Sequence, residues 1–199
     1  SIPEVESLLT LINDPAQPVI VRASAIARAQ SFLSPAVAEA LKRSLADPDA
    51  LVRATAAEVL TGVDASFRAE QLTPLLVDPV RLVRMAAARA LAGEPEGRLL
   101  PDEDGKFTAA LDEWSAGQHY NADRPESFTN LGTLQFERGV PLEAIASYRA
   151  ALDRDPTFVQ AAVNMADVHR SVGDEASAER TLREAVASSP RAAAAHHAL

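Results

Sequence analysis

A Val-Arg pair occurs three times at a fixed interval, and that interval constrains the fold more than any other feature of the chain. The arginines are Arg22, Arg53 and Arg84, 31 residues apart each time. An Asp-Pro pair precedes each one, at Asp14-Pro15, Asp47-Pro48 and Asp78-Pro79. After each arginine, small or apolar residues fall at +3, +4 and +7: Ala25, Ile26 and Ala29, then Ala56, Ala57 and Leu60, then Ala87, Ala88 and Leu91. That spacing is one stripe of a helix, written three times. A chain that repeats itself this way builds like units that bury their faces on one another, without one central core. The first unit carries two extra residues between its Asp and its Arg, a small loop insertion.

Each Asp-Pro has a local rationale. Asp at a helix N-cap accepts from orphan amides of the first turn, and Pro at the first helical position has no amide to leave unpaired. Each unit therefore reads as a helix ending near Leu11, Leu45 or Leu76, a tight turn, and a second helix with the arginine stripe. Pro74 falls inside the third unit's first helix and is expected to kink it. Paired helices with these Asp-Pro and Val-Arg positions resemble HEAT-like repeats, over residues 1–93. In that family the resemblance implies that each Arg pairs with the turn Asp of the same or the next unit. Asp14, Arg22, Asp47, Arg53, Asp78 and Arg84 would then form a structural ladder.

A different period follows. Residues 94–106 are rich in Gly, Pro and acid and read as a linker. Beyond them Gly139 and Gly173, Ala144 and Ala178, Ala151 and Ala185, and Pro156 and Pro190 are each 34 residues apart. This pattern resembles the tetratricopeptide (TPR) repeat. Residues 125–158 hold Phe128, Leu131, Gly132, Ala144, Tyr148, Ala151 and Pro156 at the signature positions. Residues 159–192 hold Ala162, Met165, Ala166, Ala178, Leu182, Ala185 and Pro190 there, departing at the Gly and aromatic positions. Residues 107–121 place Ala110, Trp114 and Gly117 like a lone second helix, and Arg191–Leu199 opens a third copy.

The expected fold is all-α, an α-solenoid or superhelix of three HEAT-like helix pairs (1–93) joined to TPR helix pairs (107–199), with no strand. The expected core stripes are Leu8, Leu11, Ala25, Ala29, Leu41, Leu45, Ala56, Leu60, Leu75, Ala87, Leu91, Leu111, Trp114, Leu131, Ala144, Tyr148 and Ala178. Forty alanines against 8 glycines suit close helix contacts.

Catalytic and metal chemistry find little support. The chain has no cysteine, which removes thiolate zinc sites, iron–sulfur clusters, covalently attached haem and a cysteine nucleophile. His119, His169, His196 and His197 lack metal-ligand spacing. Asp102-Glu103-Asp104 lacks the spacing of a calcium loop, and no phosphate loop is present. No cofactor and no metal are expected in this chain. A net charge of −9, shared almost equally by the two halves, disfavours nucleic acid and anionic membranes. No apolar run approaches the roughly 20 residues that span a bilayer.

What remains is surface. In TPR domains the first helix of each pair lines a concave groove, and the resemblance places Glu126, Thr129, Thr133, Phe136, Glu137, Gln160, Val163, Asp167 and Arg170 there. Asn130 and Asn164 match a carboxylate clamp, but its lysine positions hold Thr129 and Val163. Phe136 reads equally as an exposed apolar anchor and as packing against the helix of Trp114. The favoured function is a non-enzymatic scaffold for a protein or peptide. Some HEAT-like proteins resemble bilin lyases, and that enzyme alternative needs a pocket with paired acid or base groups. The chain opens directly in a helix and stops within a repeat, so it reads as a piece of a longer protein. Its open C-terminal face is expected to be covered by a second copy or a partner chain. The order of HEAT-like units, a Trp-bearing helix and TPR units is similar to the C-terminal region of bacterial multihaem c-type cytochromes. That resemblance implies a periplasmic docking or assembly region, and without it the cytoplasm is the expected compartment.

Overall fold

The computed structural model describes residues 2–93 and 104–199. Twelve α-helices and no strand occur among the described residues. They are α1 (Ile2–Asn13), α2 (Val19–Ala29), α3 (Pro35–Ser44), α4 (Ala50–Val59), α5 (Ala65–Leu72), α6 (Arg81–Leu91), α7 (Asp104–Tyr120), α8 (Pro125–Glu137), α9 (Pro141–Arg154), α10 (Val159–Ser171), α11 (Glu175–Ser188) and α12 (Ala193–Ala198). The contacts divide into two units, Ser1–Trp114 and Ser115–Leu199, with the division inside α7. Most of the expected linker lies outside the described residues, and its last three residues, 104–106, already belong to α7.

In the first unit α1/α2, α3/α4 and α5/α6 form three helix pairs, and α2, α4 and α6 pack in succession. Alanines make that spacing close: Ala29, Ala56, Ala57 and Ala87 are fully buried beside Ile26, Val52, Leu60 and Val83. Pro74 ends α5 at Leu72, and the chain continues as a 3₁₀ helix over Thr73–Val77, because proline has no amide for the α-helical bond. The Asp-Pro pairs are not helix caps. Helices α2, α4 and α6 begin three to five residues after the Asp, with Pro18, Asp49 and Val80 at their N-caps. Each Asp instead folds the turn on itself, accepting from the amide two residues on: Ala16 (2.9 Å), Asp49 (2.9 Å) and Val80 (2.8 Å). Leu11, Leu75 and Trp114 are only half-buried, whereas Ile12 and Leu76 are buried. The expected stripe was one position out of phase at the ends of α1 and of the 3₁₀ helix.

In the second unit α8/α9 and α10/α11 are successive helix pairs, and α12 packs on α10 and α11. The turn glycines Gly139 and Gly173 take φ of +74° and +81°, a conformation that L side chains rarely adopt, so the same left-handed residue reverses the chain in both pairs. The first pair is locked by size complementarity. A Cβ on Gly132 would stand 2.8 Å from the Tyr148 ring, so the ring lies against bare backbone. In the second pair Ala166 and Leu182 occupy the corresponding positions and share one buried cluster with Ala178. A larger residue on one helix is met by a smaller one on the other.

Candidate functional site

The expected groove residues lie on α8 and α10, which contact one another. Glu126, Phe136, Glu137, Gln160 and Asp167 are exposed, and Phe136 keeps 39% of its surface open. Val163 is half-buried and packs beside Ala166, Ala178 and Leu182. Two groove positions are turned to internal bonds, one of them buried and the other half-buried. Thr129 is buried, its hydroxyl donating to the Pro125 carbonyl (2.9 Å) within the same helix. Back-bonding of this kind lets a threonine leave water at little cost. Thr133 bonds likewise to Thr129 (3.0 Å) and meets the Tyr148 hydroxyl at 3.1 Å, so it positions the ring more than it faces a ligand. Arg170 is committed as well. Its guanidinium reaches Glu175 (3.3 Å), Asp167 (3.5 Å) and the Ala198 carbonyl (2.7 Å) at the C-terminal end of α12.

Arginine and carboxylate groups form rungs along the first unit. Arg22 pairs with Asp47 and Arg53 with Asp78 (2.9 and 3.0 Å), in each case the turn Asp of the next unit. These pairs are largely shielded: the Arg53 and Asp78 side chains are 12% and 7% exposed. Burial alone would raise the Asp78 pKa, but the Arg53 guanidinium and the Val80 amide outweigh it and hold the carboxyl below its ordinary range. Arg53 is correspondingly raised, chiefly by the same bond. Arg84 has no following Asp and takes Glu113 of α7 instead, at 2.7 and 3.1 Å. Asp14 has no arginine partner among the described residues. It accepts from the Gln17 side chain (2.9 Å) and the Ala16 amide, which lower its pKa. The ladder therefore starts at Arg22 and ends on α7, where Trp114 also lies under the Arg89 guanidinium (5.6 Å to the ring centroid).

The structure adds a surface that sequence reasoning missed. Ile20, Leu51 and Leu82, each two positions before an arginine, are all exposed. The same 31-residue alignment that exposed the arginines carries this signal, since a large apolar residue occupies that position in every unit. A cleft of about 210 Å³ opens between α9 and α11 over Met165, with Arg149, Asp153 and Glu184 among its lining. All three ionisable groups are exposed, so water screens them and no desolvated acid–base pair arises. Among the described residues no three His, Asp or Glu side chains converge. His169 lies 3.6 Å from the Asp174 carboxylate, and the His196 ring meets the Pro190 carbonyl at 3.0 Å. The acidic side chains at 102–104 lie outside the described residues. No helix among the described residues is long and apolar enough to cross a membrane.

Stacked helix pairs with a conserved internal period and no strand among the described residues define an all-α repeat protein of the α-solenoid class. A family model described as tetratricopeptide repeat matches residues 135–199. That span takes in α9 to α12 and the end of α8. The chain matches no curated protein and no solved structure.

Proposed function

We propose that the chain is a non-enzymatic module that holds a protein or peptide segment along α8 and α10. The observation that carries this is the tetratricopeptide match over 135–199, since repeats of this type bind proteins and peptides. Phe136 supplies an open apolar anchor, and Glu126, Glu137, Gln160 and Asp167 supply a polar rim. Glu126 is already paired with Arg124 (3.8 Å) and Asp167 with Arg170 (3.5 Å), so the fit of a segment rests first on an apolar side chain meeting Phe136. The test is selection of binders from a random peptide library by the 199-residue chain. Phe136→Ala should weaken the selected peptides at least about tenfold, as truncating a central anchor does. Arg183→Ala on α11 should leave them unchanged. Peptides equally sensitive to both changes would remove α8 and α10 from the site.

We propose that the first unit acts in the scaffold as HEAT-like repeats, a reading supported by its helix pairs, the break of α5 at Pro74 and its arginine rungs. Association of two copies through the α12 end is a further proposal, tested by sedimentation over a range of concentrations. The narrower proposal, a docking or assembly region of a periplasmic multihaem cytochrome, draws support from the order of the two repeat types. Cys-x-x-Cys-His motifs and an export signal in the parent gene would carry it, and their absence would end it.

A further inference from the structure

The three arginine rungs are not alike. Arg53 lies side-on to its carboxylate: Nε and Nη2 donate to Asp78, while Nη1 donates to the main-chain carbonyls of Asp47 (2.8 Å) and Pro48 (3.1 Å). Arg84 repeats this arrangement, with Nε and Nη2 on Glu113 and Nη1 on the carbonyls of Asp78 (2.9 Å) and Pro79 (3.3 Å). Arg22 is turned. Its Nη1 and Nη2 both go to Asp47, the second at 3.3 Å, and its Nε is buried with no partner. The cause is the two-residue insertion. Eight positions separate Asp14 from Arg22, against six in the later units. The longer turn closes on itself, with the Gln17 amide donating to the Asp14 carbonyl (3.1 Å), the atom whose counterparts accept from Arg53 and Arg84. A cleft of about 420 Å³ opens here, lined by Asn13, Pro15, Arg22, Arg43 and Asp47 among others. Arg43 is exposed and, among the described residues, holds only the Asn13 side-chain oxygen, at 3.0 and 3.3 Å.

We infer that this cleft binds an oxyanion, the carboxylate or phosphate group of a ligand, between Arg22 and Arg43. The oxyanion replaces the turn carbonyls that the insertion has withdrawn. Two guanidiniums against the one carboxylate of Asp47 leave a positive excess, which selects an anion over a neutral amide oxygen. Binding lets Arg22 adopt the side-on pose of Arg53 and Arg84: Nε and Nη2 take Asp47, Nη1 takes the ligand, and the orphaned Nε is satisfied. This site belongs to the first unit and does not depend on the groove of α8 and α10.

The test follows the Arg22 Nε–H resonance of the full chain by NMR during titration with inorganic phosphate and, separately, with acetate. Ionic strength is held constant so that screening does not imitate binding. A saturable shift with at least one anion is expected. Arg43→Gln should raise the dissociation constant at least about tenfold, as loss of one charged donor does. Deleting Ala16 and Gln17 restores the six-residue spacing and should abolish the shift while the helical circular dichroism is kept. Saturation by acetate alone assigns a carboxylate ligand, and by phosphate alone a phosphate-bearing one. No saturable shift with either anion overturns the proposal, as does undiminished binding by the folded deletion variant. If the deletion variant fails to fold, undiminished binding by Arg43→Gln overturns it instead.

Discussion

Replacing Gly132 by alanine tests the packing logic of the second unit more directly than any other change. The added Cβ would stand 2.8 Å from Cε1 and 2.9 Å from Cδ1 and Cζ of Tyr148. Carbon atoms pack at about 3.5–4.0 Å, so the ring must retreat by most of an ångström. It has little room to do so, because Tyr148 is fully buried and its hydroxyl is held by Thr133 at 3.1 Å. Overpacking of this kind costs about 1–3 kcal/mol, against about 1 kcal/mol gained from alanine's helix propensity. The net expectation is a loss of about 1 kcal/mol. Tyr148→Leu should cost about 2 kcal/mol through the space left above Gly132 and the lost hydroxyl contact. The double variant reproduces the Ala166/Leu182 pair of the next unit, so the new methyl fills the new space. Its loss should fall short of the sum of the singles by at least about 1 kcal/mol, a coupling well outside the few tenths seen for independent sites. Native-state amide exchange in α8 and α9 of the full chain measures this locally, without assuming that both units melt together. Additive losses, or a Gly132→Ala chain more stable than the parent, would refute the ring-on-glycine account.

Three further outcomes follow from the arginine rungs. Asp78→Ala strands the shielded Arg53 and should cost the first unit about 3 kcal/mol, whereas Asp14→Ala breaks only a turn and should cost about 1 kcal/mol, both read by urea unfolding. The Asp78 carboxyl is held below its ordinary value, so its contribution is present above about pH 4, the unfolded value, and is lost as pH falls through the lower folded value. The stability gap between the parent and Asp78→Asn should therefore shrink on acidification from pH 5 to about pH 2, and a constant gap would contradict the pairing. Glu113→Gln should loosen the contact of α7 with α6, seen as faster amide exchange at Leu111 and Trp114, with α2 and α4 unaffected.

The helix pairs were legible because each type of turn is punctuated at a fixed interval. Asp-Pro marks one and a left-handed glycine the other, and both signals survive any change of neighbours. Stripe phase was less legible at helix ends. There Ile12 and Leu76, not Leu11 and Leu75, point inward, because a short apolar run leaves the register open by one position. The rungs were half visible. The resemblance to HEAT-like repeats implies pairing of each Arg with a turn Asp of the same or the next unit, and which of the two it meets depends on how far one unit is displaced along the next. Glu113 could not be found that way, since it lies outside the period and substitutes for an Asp that the chain lacks. The TPR resemblance places Thr129 in the groove, whereas it is buried with its hydroxyl bonded to the Pro125 carbonyl inside the helix.

The two units absorb departures from their own repeats in different ways. In the second unit Gly132 gives way to Ala166 and Tyr148 to Leu182, so one change offsets the other and the helices stay in contact. In the first unit the insertion before Arg22 has no matching change. The withdrawn carbonyls are not replaced, a buried guanidinium nitrogen is left unpaired, and a cleft stands beside it. An unpaired buried donor is costly. An oxyanion bound there, as proposed above, would pair the stranded nitrogen and complete the rung from outside.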